Sequence, residues 1–331
     1  MSLPPATSSI LRIKFLISRR LVPTMTQVAK KTIDPFTQLD GLIPVLSDLY
    51  TAIKSKHEKA ALMMDKLMGT IATITDANPD AALAAIHLSK QTSPLKQPIY
   101  CAVISHLFAQ QQQLDEHRTR ALMQAVLFCN ITFYEFQVLL NRMDGKLTEA
   151  QRIKLEKHPL QSATLMEAAG FMDPHMIKAI RQHHERPDGS GYPNHLPSKD
   201  ISDLALVVSM CEVYTARIDN RAHRKPVLAR EALAHFQNDE DPRIKGLLLN
   251  FAKSIGIYPP GTWVKLANGE TAIVVKRQKN SPIPLVRALF DANRIPYMGP
   301  VRRDTTNSDY KVIGATSPPA RPSVELSALF D

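Results

Sequence analysis

Residues 183–193 read His183-His184-Glu185-Arg186-Pro187-Asp188-Gly189-Ser190-Gly191-Tyr192-Pro193. Adjacent imidazoles offer two nitrogen donors of the kind that transition metals prefer. On a regular helix successive side chains diverge by about 100°, so His183 and His184 cannot chelate as an i, i+4 pair would. At a fraying helix end they can still flank one ion. Gly189 and Gly191 permit positive φ angles and Pro193 stiffens the exit of the turn. Such a turn can hold Tyr192 at the surface and bring backbone N–H groups close to a ligand. Taken singly, a histidine pair is commonly a surface feature and Asp-x-Gly-x-Gly an ordinary turn. Glu185 and Asp188 suit shaping that turn better than acting as general acid or base.

The elements that must position these residues are predominantly helical. Leu42, Leu46, Leu49, Ile53, Leu62, Leu67 and Ile71 fall near helical spacing and predict helix over about 39–74. That stripe can serve as a dimerisation arm or pack on its own domain. Asn78 is a candidate cap with Pro79 as the first helical residue, Asp76 being the weaker choice. Helical patterns recur over Ala81–Leu88, Ile99–Phe108, Arg118–Val126 and Glu135–Leu140. Thr148 with Gln151 forms a capping box. Pro159, directly after His158, is placed as the first residue of another helix, and Pro174 of the next, which runs to about His184. Ser202 or Asp203 caps a helix whose Leu204, Val207, Val208, Cys211 and Ile218 form a buried stripe. After Gly256 short strands replace helices: Trp263–Leu266, Thr271–Val275 and Leu285–Leu289, the first two joined by an Asn268-Gly269 turn.

Composition bounds the rest. The 331 residues are 44% hydrophobic, enough for a sizeable core. Cys101, Cys129 and Cys211 lie far apart, which suits a reducing cytoplasm rather than a disulfide framework. No apolar run reaches the ~20 residues that span a bilayer. A net charge of +10 fits anionic partners such as nucleotides, or simply solubility. No acidic residue precedes Asp34, while Arg12, Lys14, Arg19, Arg20, Lys30 and Lys31 do. This leader reads as a transit peptide, as a membrane-surface helix or, preferably, as a loose tail or a mis-assigned start ahead of Met25. P-loop, nucleophile-elbow and dinucleotide-binding signatures are missing.

The string HHExxDGxGYP, with all eight specified positions in register, resembles the defining motif of HD-GYP domains, a branch of the HD metal-dependent phosphohydrolases. Gly145-Lys146-Leu147-Thr148-Glu149 followed by His158-Pro159 is similar to the family's GKLT-E … HP stretch. Glu212-Val213-Tyr214 and Arg221-x-x-Arg224 resemble DVYDA … RPYR, and Gly261-Thr262-Trp263-Val264 resembles the strand that follows many such domains. The resemblance runs from about Asn78 to Gly314. It implies a mainly α fold: an HD-GYP-type helical bundle with an N-terminal helical region and a small C-terminal β module. The expected boundaries are a basic flexible extension over 1–32, the N-terminal helices over 33–77, the HD-GYP-like domain over 78–255, a β appendage over 256–314 and a flexible tail over 315–331.

The resemblance also implies hydrolysis of cyclic di-GMP at a centre of two or three metals, whose bridging carboxylates neutralise neighbouring cations while histidines complete the shell. This sequence departs from that pattern. Counting back from Leu147, the family's HDIGK falls on Cys129-Asn130-Ile131-Thr132-Phe133. A ligand histidine becomes Cys129, the bridging aspartate becomes Asn130, and a lysine becomes Phe133. The aspartates of DVYDA become Glu212 and Thr215, and an upstream histidine becomes Gln97. His158, His183 and His184 survive and, with Glu212, form a candidate residual metal site for one iron, manganese or zinc ion, or for none. Cys129 is either a soft extra ligand or core. The leading expectation is a regulatory protein of cyclic di-GMP signalling with impaired or absent phosphodiesterase activity; the alternative is a phosphohydrolase with a mononuclear or rebuilt site. Arg221, Arg224 and Lys225 are candidate binders of nucleotide phosphate. Asp188, Gly189, Gly191, Tyr192 and Pro193 form a candidate contact surface for diguanylate cyclase (GGDEF) domains, and the N-terminal helices for a homodimer.

Overall fold

The computed structural model describes residues 34–140, 143, 145, 147–218, 241–278 and 281–330, which fall within one compact unit. The basic extension over 1–32 and the cationic cluster of Arg221, Arg224 and Lys225 lie outside the described residues. The helices are α1 (Pro35–Lys54), α2 (Ala60–Ala77), α3 (Pro79–Leu88), α4 (Lys96–Gln111), α5 (Glu116–Phe128), α6 (Tyr134–Leu140), α7 (Glu149–Ala168), α8 (Pro174–Gln182), α9 (Asp203–Ile218) and α10 (Pro242–Ile255). The fold is therefore mainly α, and a small antiparallel sheet follows.

Local chemistry starts most of these helices. Asp34, Asn78, Asp115, Asp173 and Asp241 each accept a backbone N–H of the first turn, and prolines stand at the start of α1, α3, α8 and α10. Thr148 and Gln151 close the expected capping box of α7. Ser202 Oγ accepts from Ala205 N at 3.2 Å and so caps α9.

Helix α4 is the axle of the bundle. Every residue from Pro98 to Ala109 is buried, so the helix is enclosed on all sides, and α1, α2, α3, α5, α9 and α10 pack around it. The helix expected over 39–74 is broken in two: the chain turns between α1 and α2, with Lys56 at φ 53°. The turn lets both halves lie on α4. Leu46, Leu49, Ile53, Leu67 and Ile71 are thereby buried within this chain, whereas Leu62 of the same stripe stays exposed.

Pro159 does not begin a helix, as its position after His158 predicted. It lies inside the continuous helix α7. A helix-interior proline has no N–H to give the carbonyl four residues back, here that of Leu155.

The sheet comprises β1 (Trp263–Leu266), β2 (Thr271–Gln278), β3 (Ser281–Phe290), β4 (Pro296–Arg303) and β5 (Val312–Ala315) in the order β4-β3-β2-β1-β5. Gly269 supplies the positive φ of the β1–β2 turn. The strand β4, Pro-Tyr-Met-Gly-Pro-Val-Arg-Arg, and the short β5 carry little hydrophobic alternation and were not legible in advance. One sheet face packs on α3 through Ala81, Ala84, Trp263, Ile273 and Phe290. The Pro- and Ser-rich end returns to the same place instead of hanging free. Phe330 is buried beside Phe36, and Asn78 Nδ2 donates to the Phe330 carbonyl at 2.7 Å. The composition hid this because a single terminal aromatic anchors the segment.

Candidate metal centre

Two helix interiors and two helix ends deliver the donors. His158 projects from α7 beside Pro159, His183 and His184 follow the last residue of α8, and Cys129 and Asn130 follow α5. Glu212 arrives from the middle of α9. His158 is 1% exposed, His183 0%, Cys129 1% and Glu212 7%.

The tautomers of two histidines are set by helix carbonyls. The Leu155 carbonyl, deprived of a proline N–H, accepts from His158 Nδ1 at 2.5 Å. Carbonyls in the last turn of a helix lack intrahelical partners, and that of Ile180 accepts from His183 Nδ1 at 2.7 Å. With both Nδ1 atoms donating, each Nε2 carries a lone pair, and the two Nε2 atoms face each other at 3.2 Å. Burial pushes His158 down to about 4 and His183 to about 3, with the neighbouring His158 adding to the latter, so both rings are neutral near pH 7. Burial also lowers His184, and the His183, His158 and Arg186 charges reinforce it. Two neutral nitrogen lone pairs aimed at one point suit a divalent cation, and carbonyls that hold the opposite ring nitrogen in this way orient ligand histidines.

Two triads of donor atoms, each with all separations within 4.8 Å, share His183: His158–His183–His184 and Cys129–His183–Glu212. All four residues of the expected residual site are therefore gathered into one cluster. Glu212 Oε2 lies 3.5 Å from His183 Nε2. On its other side Asn130 Nδ2 makes a short hydrogen bond to Glu212 Oε1 and approaches Cys129 Sγ at 3.6 Å. The remaining departures from the motif pattern surround the same centre. The Phe133 ring lies 4.7 Å from that of His158. Gln97 Nε2 donates to the Glu212 carbonyl at 3.3 Å. Thr215 Oγ1 contacts Cys101 Sγ at 3.3 Å.

The loop beside the centre is held from within. Glu185, 2% exposed, accepts from Asn194 N at 2.7 Å and Leu196 N at 3.0 Å. Asp188 Oδ1 accepts from Ser190 N at 2.9 Å. Both carboxylates shape the turn. A Cβ on Gly191 would stand 2.2 Å from Arg186 N, so only glycine fits there, and Gly189 holds φ +74°. Tyr192 is half-buried, with its ring 4.7 Å from that of His184. A cleft of about 790 Å³ opens over His184 and Tyr192 and is lined also by Arg152, Glu156, Arg186 and His195. Sequence reasoning passed over Arg152 and Arg186. The second stands inside the motif, between Glu185 and Asp188, and was within reach; Arg152 carried no signal and is paired with Glu156 at 2.8 Å.

Comparisons with known proteins agree on one kind of relative. Residues 81–245 match the family model described as HD domain. The chain is 28% identical over 252 residues to cyclic di-GMP phosphodiesterase PA4108 of Pseudomonas aeruginosa, an alignment covering 74% of this chain and 58% of that one. It is 28% identical over 152 residues to cyclic di-GMP phosphodiesterase response regulator RpfG of Xanthomonas campestris pv. campestris, covering 44% and 40%. The chain thus spans less than two thirds of the length of these curated relatives. Among solved structures, Bd1817, an HDG"Y"P protein from Bdellovibrio bacteriovorus, superposes with a TM-score of 0.54 at 19% identity, over 68% of this chain and 73% of that one. At that identity the likeness speaks for the fold.

Proposed function

The chain belongs to the HD-GYP branch of the HD-domain family, and from that premise we propose that it acts in cyclic di-GMP signalling as a regulatory module with lost or weakened phosphodiesterase activity. One observation carries this reading. Where the family pattern has a bridging aspartate, the Asn130 amide stands against Glu212 and donates to it. An amide brings no charge to a site where two cations would otherwise repel each other, and each buried cation needs anionic compensation.

The histidine cluster favours a second reading, a phosphohydrolase with one ion. The facing Nε2 atoms of His158 and His183 are suited to hold a divalent ion, which when bound would supply Lewis-acid activation of a phosphodiester and of water. The chain's own contribution is to keep those rings neutral and oriented, and to offer Arg152 and Arg186 to an anionic substrate in the cleft.

Both readings place a cyclic dinucleotide in the same cleft, and one assay separates them. Cyclic di-GMP hydrolysis with manganese or iron is compared between the native chain and a Cys129→His, Asn130→Asp double variant. Turnover that appears only in the variant supports the regulatory reading. Equal turnover in both defeats it. The loop from Asp188 to Pro193 is the proposed contact surface for GGDEF-domain partners; a pull-down in which its deletion changes no partner argues against that role. No described helix is long and apolar enough to cross a membrane, which is compatible with action in the cytoplasm.

A further inference from the structure

We propose that Cys129 is a metal ligand, its thiolate joining His183 and Glu212 in a mononuclear site for a soft divalent ion, zinc foremost. The inference rests on the reading above that a dinuclear carboxylate-bridged centre no longer assembles.

Three observations point the same way. The donor atoms of Cys129, His183 and Glu212 already lie within 4.8 Å of one another, and all three residues are buried. The His183 Nε2–Glu212 Oε2 separation of 3.5 Å is close to the ~3.4 Å edge between a nitrogen and an oxygen on a tetrahedral zinc ion with bonds of about 2.1 Å. Only a small closure around the ion is required.

Charge then chooses between the two triads. His158, His183 and His184 would leave a dication uncompensated in a buried site. A thiolate and a carboxylate cancel it. The replacement of an aspartate by Asn130 also fits this set of ligands. The amide nitrogen faces Glu212 Oε1 and Cys129 Sγ together, and its two hydrogens can serve both anions, whereas a carboxylate there would repel both. Asn130 is in this sense a positioning residue. The two substitutions act as a pair: one removes an anion that bridged hard ions, and the other introduces a softer anion that favours zinc over manganese or iron.

The test uses the full chain, stripped with a chelator and titrated with cobalt(II) as a spectroscopic substitute for zinc. The expected result is one bound cobalt with visible d–d bands and a thiolate-to-cobalt charge-transfer absorption in the near ultraviolet. Cys129→Ser loses that absorption, and its zinc affinity falls by more than the ~10–100-fold that loss of an outer-shell partner costs. Cys129→His, which returns an imidazole, binds cobalt without the absorption. Native protein that binds one cobalt without charge transfer overturns the thiolate assignment alone and leaves the regulatory reading standing, as does protein that binds neither cobalt nor zinc. Native protein that takes two iron or manganese ions overturns both. Circular dichroism of the stripped variants checks folding, and should they fail to fold, the native cobalt spectrum decides by itself.

Discussion

An Asn130→Asp substitution would set a second carboxylate against Glu212, which the native amide contacts directly. At about 3 Å and an effective dielectric near 20, two unit charges repel by roughly 5 kcal/mol, equivalent to about 4 pKa units. Relaxation of the two side chains would reduce this, and about 3 kcal/mol is the working value. In the metal-free variant the pair would hold one proton, with an apparent pKa well above the unfolded carboxylate value of about 4. Between those two values the folded chain keeps a proton that the unfolded chain has released, so stability falls as the pH rises. The expected outcome is a melting temperature that drops by about 2–4 °C between pH 5 and pH 8, relative to the native chain over the same interval. Manganese or zinc should restore it, since a ligand at a hundredfold its Kd adds about 2.7 kcal/mol. Thermal melts at both pH values, with and without metal, provide the measurement. A variant that melts with the native chain at both pH values and ignores added metal would refute the contact and the charge argument built on it.

Other perturbations probe the supports of the site. Glu185→Ala removes the acceptor of two loop amides; at ~1.5–3 kcal/mol per bond to a charged group, less what water recovers, hydrogen exchange at Asn194 and Leu196 should quicken ~100-fold, and Glu185→Gln should show a smaller effect. Acid should destabilise the metal-free protein. Burial holds His87, which meets the Tyr214 hydroxyl at 2.8 Å, at about 4 against about 6.5 unfolded. The unfolded chain therefore binds the extra proton first, and stability is greatest above about pH 6.5 and declines toward pH 4 by on the order of 3 kcal/mol, with His158 and His183 adding in the same direction. Urea melts at pH 7 and pH 4.5 measure this, and equal midpoints would contradict it. Phe330→Ala should release the docked C-terminal segment and speed cleavage after Glu325 by a glutamyl endopeptidase without altering metal content; an unchanged cleavage rate would show that Phe330 is not its anchor.

The sequence by itself determined the helical class, the caps at Asn78 and Thr148, the helix starts at Pro79 and Pro174, the Asn268-Gly269 turn, and the roles of Glu185 and Asp188 in shaping the motif loop. These rest on short-range chemistry, where neighbouring residues satisfy the orphan groups of a helix end or a turn. It also marked Cys129, Asn130, Phe133, Glu212 and Thr215 as departures from one motif pattern. Only the tertiary structure decided what those departures do together. Cys129 and Glu212 are far apart in the chain, and packing α5 and α9 on α4, with α8 against both of them, brings the two residues to the same histidine. The same holds for Pro159. Read locally it starts a helix; held inside α7 it leaves the Leu155 carbonyl to His158 Nδ1 and so turns a lone pair toward His183. A carbonyl's free lone pair, an amide facing two anions and an aromatic returning from the chain's end are consequences of three-dimensional closure, and no local pattern of residue types encodes them.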